Sequence, residues 1–221
     1  MSPEILLIDK PDNMSSFGVV ARVRRVLSQS AGHKIKVGHT GTLDPFATGL
    51  LILLTGKGTK RSNEFLKLDK TYEATIRLGA TSTTGDPEGE ITEKAAQPVD
   101  RAQVEAIIPQ FIGEIEQRVP QFSAVKINGE RAYKLARKGE QVEMPVRKIK
   151  IYSLEILDYN WPELKIRCHV SSGTYIRTLG EDIGKALGTG AYLTALRRTE
   201  VGEYSVDDAI RLDDFMNQAA K

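Results

Sequence analysis

The segment GHTGTLDPFATGLLILL, residues 38–54, decides how the rest of this 221-residue chain is interpreted. Its first half is rich in glycine and threonine, a composition that favours neither a helix nor a strand. Pro45 fixes its own backbone φ and pushes the preceding Asp44 away from helical geometry, so Asp44 is predicted to lie on a stiff, irregular loop. The apolar run at residues 50–54 predicts a buried strand that anchors this loop.

An acidic side chain on such a loop has two interpretations. Catalytic groups concentrate on loops that a folded scaffold holds in place, so Asp44 is a candidate nucleophile or base. Aspartate also caps backbone amides in Asx-type turns, and composition alone does not separate that structural role from the catalytic one.

The same segment resembles the signature of a known enzyme family. GHTGTLDPFATGLL is similar to the catalytic motif of the TruB family of bacterial tRNA pseudouridine-55 synthases, in which the acid of the GTLDP core is essential. The resemblance implies an isomerase that converts the T-loop uridine of tRNA to pseudouridine by base flipping. Further similar segments follow in the same order along almost the whole chain: LIDKP (residues 7–11), MSS (14–16), DKTY (69–72), VPQFSAVK (119–126) and SGTYIRTL (172–179).

The resemblance implies three catalytic residues. Asp44 is expected to be the essential acid, Arg177 its charge partner, and Tyr72 the ring that stacks on the target base. A guanidinium close to a carboxylate favours the charged form of that carboxylate. Without the resemblance, Tyr72 would be interpreted as core packing. Arg177 would be a surface residue in the first turn of a helix, where its charge opposes the helix dipole.

The resemblance also implies residues that bind the substrate. His39 is expected to insert into the RNA fold at the place that the flipped uridine leaves. Tyr175 and Leu196 are expected to contact the substrate and to close the floor of the pocket. Lys10 and Lys60 are candidates for phosphate contacts, which position an RNA without reading its sequence. The ordinary alternatives are a turn residue for His39 and core packing for Leu196.

The spacing of apolar residues predicts an α+β fold with mainly antiparallel strands, because predicted strands often follow one another. Helices are predicted from Ser15 or Ser16 to about Leu27, from Asp100 to Phe111, and from Gly173 to about Leu187. Strands are predicted at residues 4–8, 50–54, 72–78, 120–127, 146–157, 164–170 and 191–199, and the fifth and sixth of these are expected to form a hairpin.

The resemblance adds a domain organisation to this prediction. It implies a pseudouridine-synthase-like catalytic domain with a mixed central sheet flanked by helices and loops. A single domain over residues 1–221 is expected. The small C-terminal RNA-binding domain of the PUA type, which bacterial members of the family usually carry, is expected to be absent.

Charge and composition narrow the possible functions. The net charge is only +2, yet residues 1–61 carry nine Lys or Arg against four acids, and residues 126–150 carry eight against three. This distribution fits either a phosphate-binding face or ordinary solvated helices. The single cysteine, Cys168, cannot form an internal disulfide, and the three histidines without a second thiol give no zinc-like ligand set. Neither a metal nor an organic cofactor is expected.

The sequence also predicts the location and the partners of the protein. The sequence shows no signal peptide and no apolar run long enough to span a bilayer, so a cytoplasmic protein without a membrane role is expected. The resemblance implies that the partner is tRNA, bound through its T-arm and T-loop, and the protein is expected to be a monomer without an obligate protein partner. Two other functions stay open: an RNA-binding or tRNA-folding module with incidental catalysis, and a guide-RNA-dependent pseudouridine synthase subunit.

Overall fold

The structure, a computed structural model, describes residues 4–218. These residues form two compact units, one made of residues 4–73 with 196–218 and the other of residues 74–195. The single domain expected over residues 1–221 stays a prediction, and its residues 1–3 and 219–221 lie outside the described residues. Within residues 4–218, none of the helices is both long enough and apolar enough to cross a membrane.

The described residues contain fourteen strands, six α-helices and three 3₁₀ segments. The strands are β1 (Ile5–Lys10), β2 (Val37–His39), β3 (Thr48–Thr55), β4 (Lys70–Leu78), β5 (Ala80–Ser82), β6 (Ile91–Glu93), β7 (Gly113–Arg118), β8 (Lys126–Ile127), β9 (Glu130–Arg131), β10 (Val146–Asn160), β11 (Glu163–Val170), β12 (Ala191–Val201), β13 (Tyr204–Ser205) and β14 (Ile210–Arg211). The helices are α1 (Ser16–Ala31), α2 (Ser62–Leu66), α3 (Arg101–Ile107), α4 (Ala132–Arg137), α5 (Ile176–Ala186) and α6 (Leu212–Gln218). The 3₁₀ segments are Gly56–Arg61, Ile108–Phe111 and Val206–Asp208.

The first unit is organised around β3. The strand order is β14-β1-β3-β12-β4, with β1 antiparallel to β3, while β14 runs parallel to β1 and β12 parallel to β3. Leu51 and Leu53 pack with valines of α1 in one core cluster, and Leu50, Ile52 and Leu54 pack in another. Apolar side chains on both faces of the strand explain why its sequence is a continuous apolar run instead of an alternating one. The predicted buried strand is confirmed.

Helix α1 begins where its sequence predicts and ends later than predicted. The Ser15 Oγ accepts a hydrogen bond from the Gly18 N–H at 3.0 Å, which makes Ser15 the N-cap. Gly32 ends the helix with a positive φ of 67°, a conformation that glycine adopts without steric cost. The helix therefore extends about one turn beyond the predicted end at Leu27.

The second unit holds the predicted hairpin. Its strand order is β12-β4-β11-β10-β7, and β10 pairs with β11 in antiparallel register. The alternation predicted for residues 72–78 is confirmed, because every second residue of β4 from Tyr72 to Leu78 is buried. Helix α5 starts at Ile176, three positions later than predicted, with Tyr175 as its N-cap. Parallel and antiparallel pairs occur together with helices, which confirms the α+β class.

One predicted strand is wrong. Within residues 120–127 only Lys126–Ile127 is extended as a strand, and a longer strand precedes it at Gly113–Arg118. The longer strand, β7, pairs with β10 and is the last strand in the order, and most of its side chains are exposed. Charged residues are common on edge strands because they discourage pairing with other chains, so the usual apolar alternation was hidden.

Candidate active site

Asp44 lies on the irregular segment between β2 and β3, as the sequence predicts. The residue is half-buried, and its carbonyl oxygen accepts a hydrogen bond from the Ala47 N–H at 3.1 Å. This bond closes a four-residue turn with Pro45 at its second position, where the fixed φ of proline favours the turn. The turn and the strand that follows it fix the point at which the Asp44 side chain leaves the backbone.

Two buried side chains hold the backbone on either side of Asp44. The Ser16 Oγ accepts a hydrogen bond from the Leu43 N–H at 2.8 Å and donates one to the Leu43 carbonyl oxygen at 2.9 Å. The Lys10 Nζ donates to the Pro45 carbonyl oxygen at 3.0 Å. The residue before Asp44 and the residue after it are therefore both anchored from outside the loop.

The burial of Lys10 corrects its predicted role. The side chain is 0% exposed, and its ammonium also donates to the carbonyl oxygens of Pro11 at 2.8 Å and Met14 at 2.6 Å. A buried ammonium is stabilised only when such acceptors surround it. The hydrogen bonds occupy the group that would have bound an RNA phosphate, so Lys10 has a structural role in place of the predicted phosphate contact.

Arg198 forms a third anchor that the sequence analysis missed. The side chain is 3% exposed, with Nε donating to the Leu50 carbonyl oxygen at 2.8 Å and Nη2 to the Gly41 carbonyl oxygen at 3.1 Å. It therefore ties the beginning of the loop to the strand after it. An arginine at a buried position of the alternating strand β12 was the available sequence signal.

Gly49 is required where this anchor meets β3. Its φ is +99°, and a Cβ at this position would lie 2.3 Å from the Arg198 carbonyl oxygen. We expect Gly49→Ala to lower the free energy of unfolding by about 1–3 kcal/mol from the backbone conformation alone, with the clash adding to this loss. Gly38→Ala is the matched control, because no atom lies within 4 Å of a Cβ there. Denaturant unfolding of both variants measures the difference, and equal stability would contradict the assigned clash.

The other predicted residues of the first unit differ in exposure. Tyr72 is 8% exposed and Leu196 is 7% exposed, so both side chains lie largely in the interior. Lys60 is exposed on the 3₁₀ segment Gly56–Arg61, where its ammonium can reach a phosphate. For Leu196, burial fits core packing as well as the predicted pocket floor.

His39 ends strand β2 and is held in its neutral form. Burial lowers the pKa of its imidazole, and the positive charge of Arg198 lowers that pKa further. Its Nδ1 is buried and has no hydrogen-bond partner among residues 4–218. A neutral imidazole suits stacking on a nucleotide more than attraction to a phosphate, because it carries no positive charge.

Arg177 is buried in the second unit, so the interpretation as a surface arginine is wrong. Its side chain is 5% exposed, and Nη1 lies 3.5 Å from the Oδ2 of Asp86, itself only 4% exposed. Nη1 also donates to the Thr84 carbonyl oxygen at 2.9 Å, and Nη2 to the Phe122 carbonyl oxygen at 2.8 Å. These partners fix the guanidinium plane, because its donors diverge in a rigid fork.

Asp86 was also missed by the sequence analysis. Its Oδ1 accepts hydrogen bonds from the Thr84 Oγ1 at 2.5 Å and the Glu88 N–H at 3.0 Å. The Asp86 carboxylate thus binds its own loop through Oδ1 and Arg177 through Oδ2. The available signal was an Asp-Pro pair, Asp86-Pro87, within a loop rich in threonine and glycine, the same pairing that marked Asp44-Pro45.

Tyr175 stands next to Arg177 at the start of α5, and Gln117 holds its backbone. The Tyr175 N–H donates to the Gln117 Oε1 at 2.8 Å, and the Gln117 Nε2 donates back to the Tyr175 carbonyl oxygen at 3.0 Å. Gln117 is 2% exposed, and the half-buried Tyr175 packs beside the cluster of Val119, Ala132 and Met144. The amide of Gln117 thus binds both backbone polar groups of the N-cap residue, so Tyr175 is held in place without a serine or threonine cap.

The structure thus places the predicted residues in two groups. Asp44, His39, Tyr72 and Leu196 lie in the first unit with the anchored loop, as do Lys10 and Lys60, whereas Tyr175 and Arg177 lie in the second. The pairing of Arg177 with Asp44 stays a prediction. In the described range, no group of three or more His, Cys, Asp or Glu side chains is placed to hold a metal ion.

Comparisons with known proteins agree with the motifs that surround these residues. The model of the TruB family pseudouridylate synthase N-terminal domain matches residues 24–176, and that of the tRNA pseudouridylate synthase B C-terminal domain matches residues 177–221. Relatives named tRNA pseudouridine synthase B include one from Phocaeicola vulgatus, 49% identical over 96% of this chain and 91% of the relative. Another, from Parabacteroides distasonis, is 47% identical over 97% of this chain and 94% of the relative.

Solved structures show the same fold. A Cbf5-Nop10-Gar1 complex contains a chain that is 30% identical with a TM-score of 0.73, over 96% of this chain. An H/ACA RNP bound to a substrate RNA gives 28% identity and a TM-score of 0.72. This chain spans about half of those chains, 53% and 52% respectively. By the family models and the close relatives together, the chain belongs to the TruB family of pseudouridylate synthases.

Proposed function

We propose that this protein isomerises the T-loop uridine at position 55 of tRNA to pseudouridine, with Asp44 as the essential acid and without a cofactor. The observation that carries the proposal is the TruB family match over residues 24–176, which includes the anchored loop around Asp44. Relatives that share almost half of their residues with this chain carry the name tRNA pseudouridine synthase B, which supports tRNA as the substrate.

The reaction requires few catalytic groups. The bond from uracil N1 to the ribose C1′ breaks, the freed base turns, and C5 bonds to C1′; the proton on C5 is lost and N1 gains one. No electron leaves the substrate and no water is consumed, so neither a redox group nor a metal-bound hydroxide is required. An ionised carboxylate beside C1′ and C6 can act by covalent addition or by assisting cleavage and taking a proton, and Asp44 is proposed for this place.

The remaining residues have supporting roles in this proposal. Arg177, with its guanidinium held by Asp86 and two carbonyl oxygens, would keep the Asp44 carboxylate charged in a closed pocket. Tyr72 would stack on the target base. Tyr175 and Leu196 would line the pocket, and Lys60 would contact a phosphate from its exposed position.

Base flipping explains the role proposed for His39. A stacked uridine hides the sugar edge that the enzyme must reach, and extruding the nucleotide costs a few kcal/mol that new contacts have to offset. The neutral imidazole of His39 can fill the vacated place.

The proposal includes the protein's partners and location. The tRNA would be bound through its T-arm by a monomer acting in the cytoplasm without an obligate protein partner, and the catalytic domain would span the whole sequence. The relatives named tRNA pseudouridine synthase B are 47–49% identical, and the Cbf5 and H/ACA chains 28–30%. That difference favours the stand-alone enzyme over a guide-RNA-dependent subunit.

Treatment of unmodified tRNA transcript with the purified protein tests the proposal. We expect pseudouridine at position 55 when a chelator is present and no cofactor or guide RNA is added. Chemical labelling of pseudouridine followed by primer extension maps every modified position. A transcript with cytidine at position 55 is the matched control and should stay unmodified. Absence of pseudouridine, or its formation only at other positions, would refute the assignment.

A further inference from the structure

Ser16 is a buried residue that holds the backbone next to Asp44. It is the first residue of α1, directly after the N-cap Ser15, and is 2% exposed. Its hydroxyl uses both of its hydrogen-bonding capacities on one residue, accepting from the Leu43 N–H and donating to the Leu43 carbonyl oxygen. The two residues are 27 positions apart, so this contact depends on the fold and not on local sequence.

Two simultaneous hydrogen bonds restrict Leu43 more than one would. They fix the positions of both backbone polar groups of Leu43, and with them the plane of the peptide that leads into Asp44. The Lys10 ammonium restricts the other side through Pro45. Because Asp44 lies between two held residues, the direction of its Cα–Cβ bond is set by the backbone before any substrate binds.

We propose that Ser16 is a positioning residue for the reaction: it holds the Leu43 peptide so that the Asp44 carboxylate is presented in the productive direction. This inference rests on the proposed function of Asp44 and adds a residue that acts through the backbone without touching the substrate. Misplacing a catalytic group by about 1 Å can cost about 10²-fold in rate. Ser16→Ala should therefore impair chemistry more than RNA binding.

The adjacent Ser15 provides a matched control. Its Oγ makes one hydrogen bond, to the Gly18 N–H, at the same end of the same helix, and the residue is exposed. Ser15→Ala removes a helix cap without changing any described contact of the loop. A role of Ser16 limited to stability would make the two variants alike, whereas a positioning role makes them differ in rate.

Single-turnover kinetics on tRNA transcript, with protein in excess, separate these cases. We expect Ser16→Ala to lower the rate constant by about 10- to 100-fold while the Kd for tRNA stays within about twofold. Ser15→Ala should keep the rate constant within about twofold of wild type. Ser16→Cys, which keeps a weak donor and acceptor of similar size, should give an intermediate rate. Equal rates for the two alanine variants, or a rate loss matched by an equal rise in Kd, would overturn the inference.

Hydrogen exchange gives a readout that needs no turnover. The Leu43 amide should exchange at least about tenfold faster in Ser16→Ala than in Ser15→Ala, because only the first variant removes its acceptor. Unchanged exchange would overturn the anchoring itself. If wild-type protein forms no pseudouridine, the proposed function fails and the positioning role fails with it, while the exchange result still shows whether Ser16 holds the loop.

Discussion

Asp44→Ala is expected to abolish measurable turnover of the T-loop uridine, a loss of about 10⁴-fold, while tRNA binding remains measurable. The carboxylate is the only group proposed to act on the reacting atoms, and the phosphate and base contacts of the RNA are proposed for other residues. Because the loop around Asp44 is anchored through backbone groups of Leu43, Pro45 and Gly41, removing the carboxylate should leave its path intact. Pseudouridine mapping measures the first effect and filter binding the second.

A control variant must show that the loss of turnover in Asp44→Ala does not come merely from removing one negative charge. Glu64→Ala removes a carboxylate of the same unit whose side chain is 61% exposed and paired with Arg61, so it should leave the rate within about twofold. Full activity in Asp44→Ala would end the assignment of this residue as the essential acid. Loss of activity together with loss of the fold, measured by circular dichroism, would return Asp44 to the Asx-type structural role.

Arg177→Ala is expected to reduce the rate far more than the affinity for tRNA, and also to destabilise the protein. The variant leaves the buried Asp86 carboxylate without its cationic partner, and breaking a buried pair in this way typically costs about 3–5 kcal/mol. It also leaves the carbonyl oxygens of Thr84 and Phe122 without their donor. Rates and Kd values have to be measured well below the lowered unfolding midpoint.

Two further variants separate the catalytic effect from the structural one. Arg177→Lys keeps a positive charge but cannot reproduce the rigid fork, so stability should recover in part while the rate stays low. Asp86→Asn removes the charge partner and keeps Arg177, so its unfolding free energy reports the ion pair without deleting the guanidinium. Equal losses of rate and affinity in Arg177→Ala would mean that the residue binds a phosphate.

Local sequence patterns predicted much of the backbone. The continuous apolar run in β3, the alternation in β4, the cap at Ser15 and the hairpin of β10 and β11 all depend on residues within one element. They were predictable because burial of one or both faces dictates the spacing of apolar residues along the same segment. The edge strand β7 was missed because its exposed residues carry charges that hide this spacing.

The α+β class, the irregular loop that carries Asp44 and the family were therefore all predictable from the residues alone. Which polar residues are buried, and which groups they hold, became clear only from the folded chain. Lys10 was a candidate for a phosphate contact and is instead buried and bonded to the loop, Ser16 and Arg198 anchor the same loop, and Arg177 lies against Asp86. A buried polar side chain is stabilised by partners that satisfy its hydrogen bonds, and here several of them lie 27 to 157 positions away, beyond the reach of any local pattern.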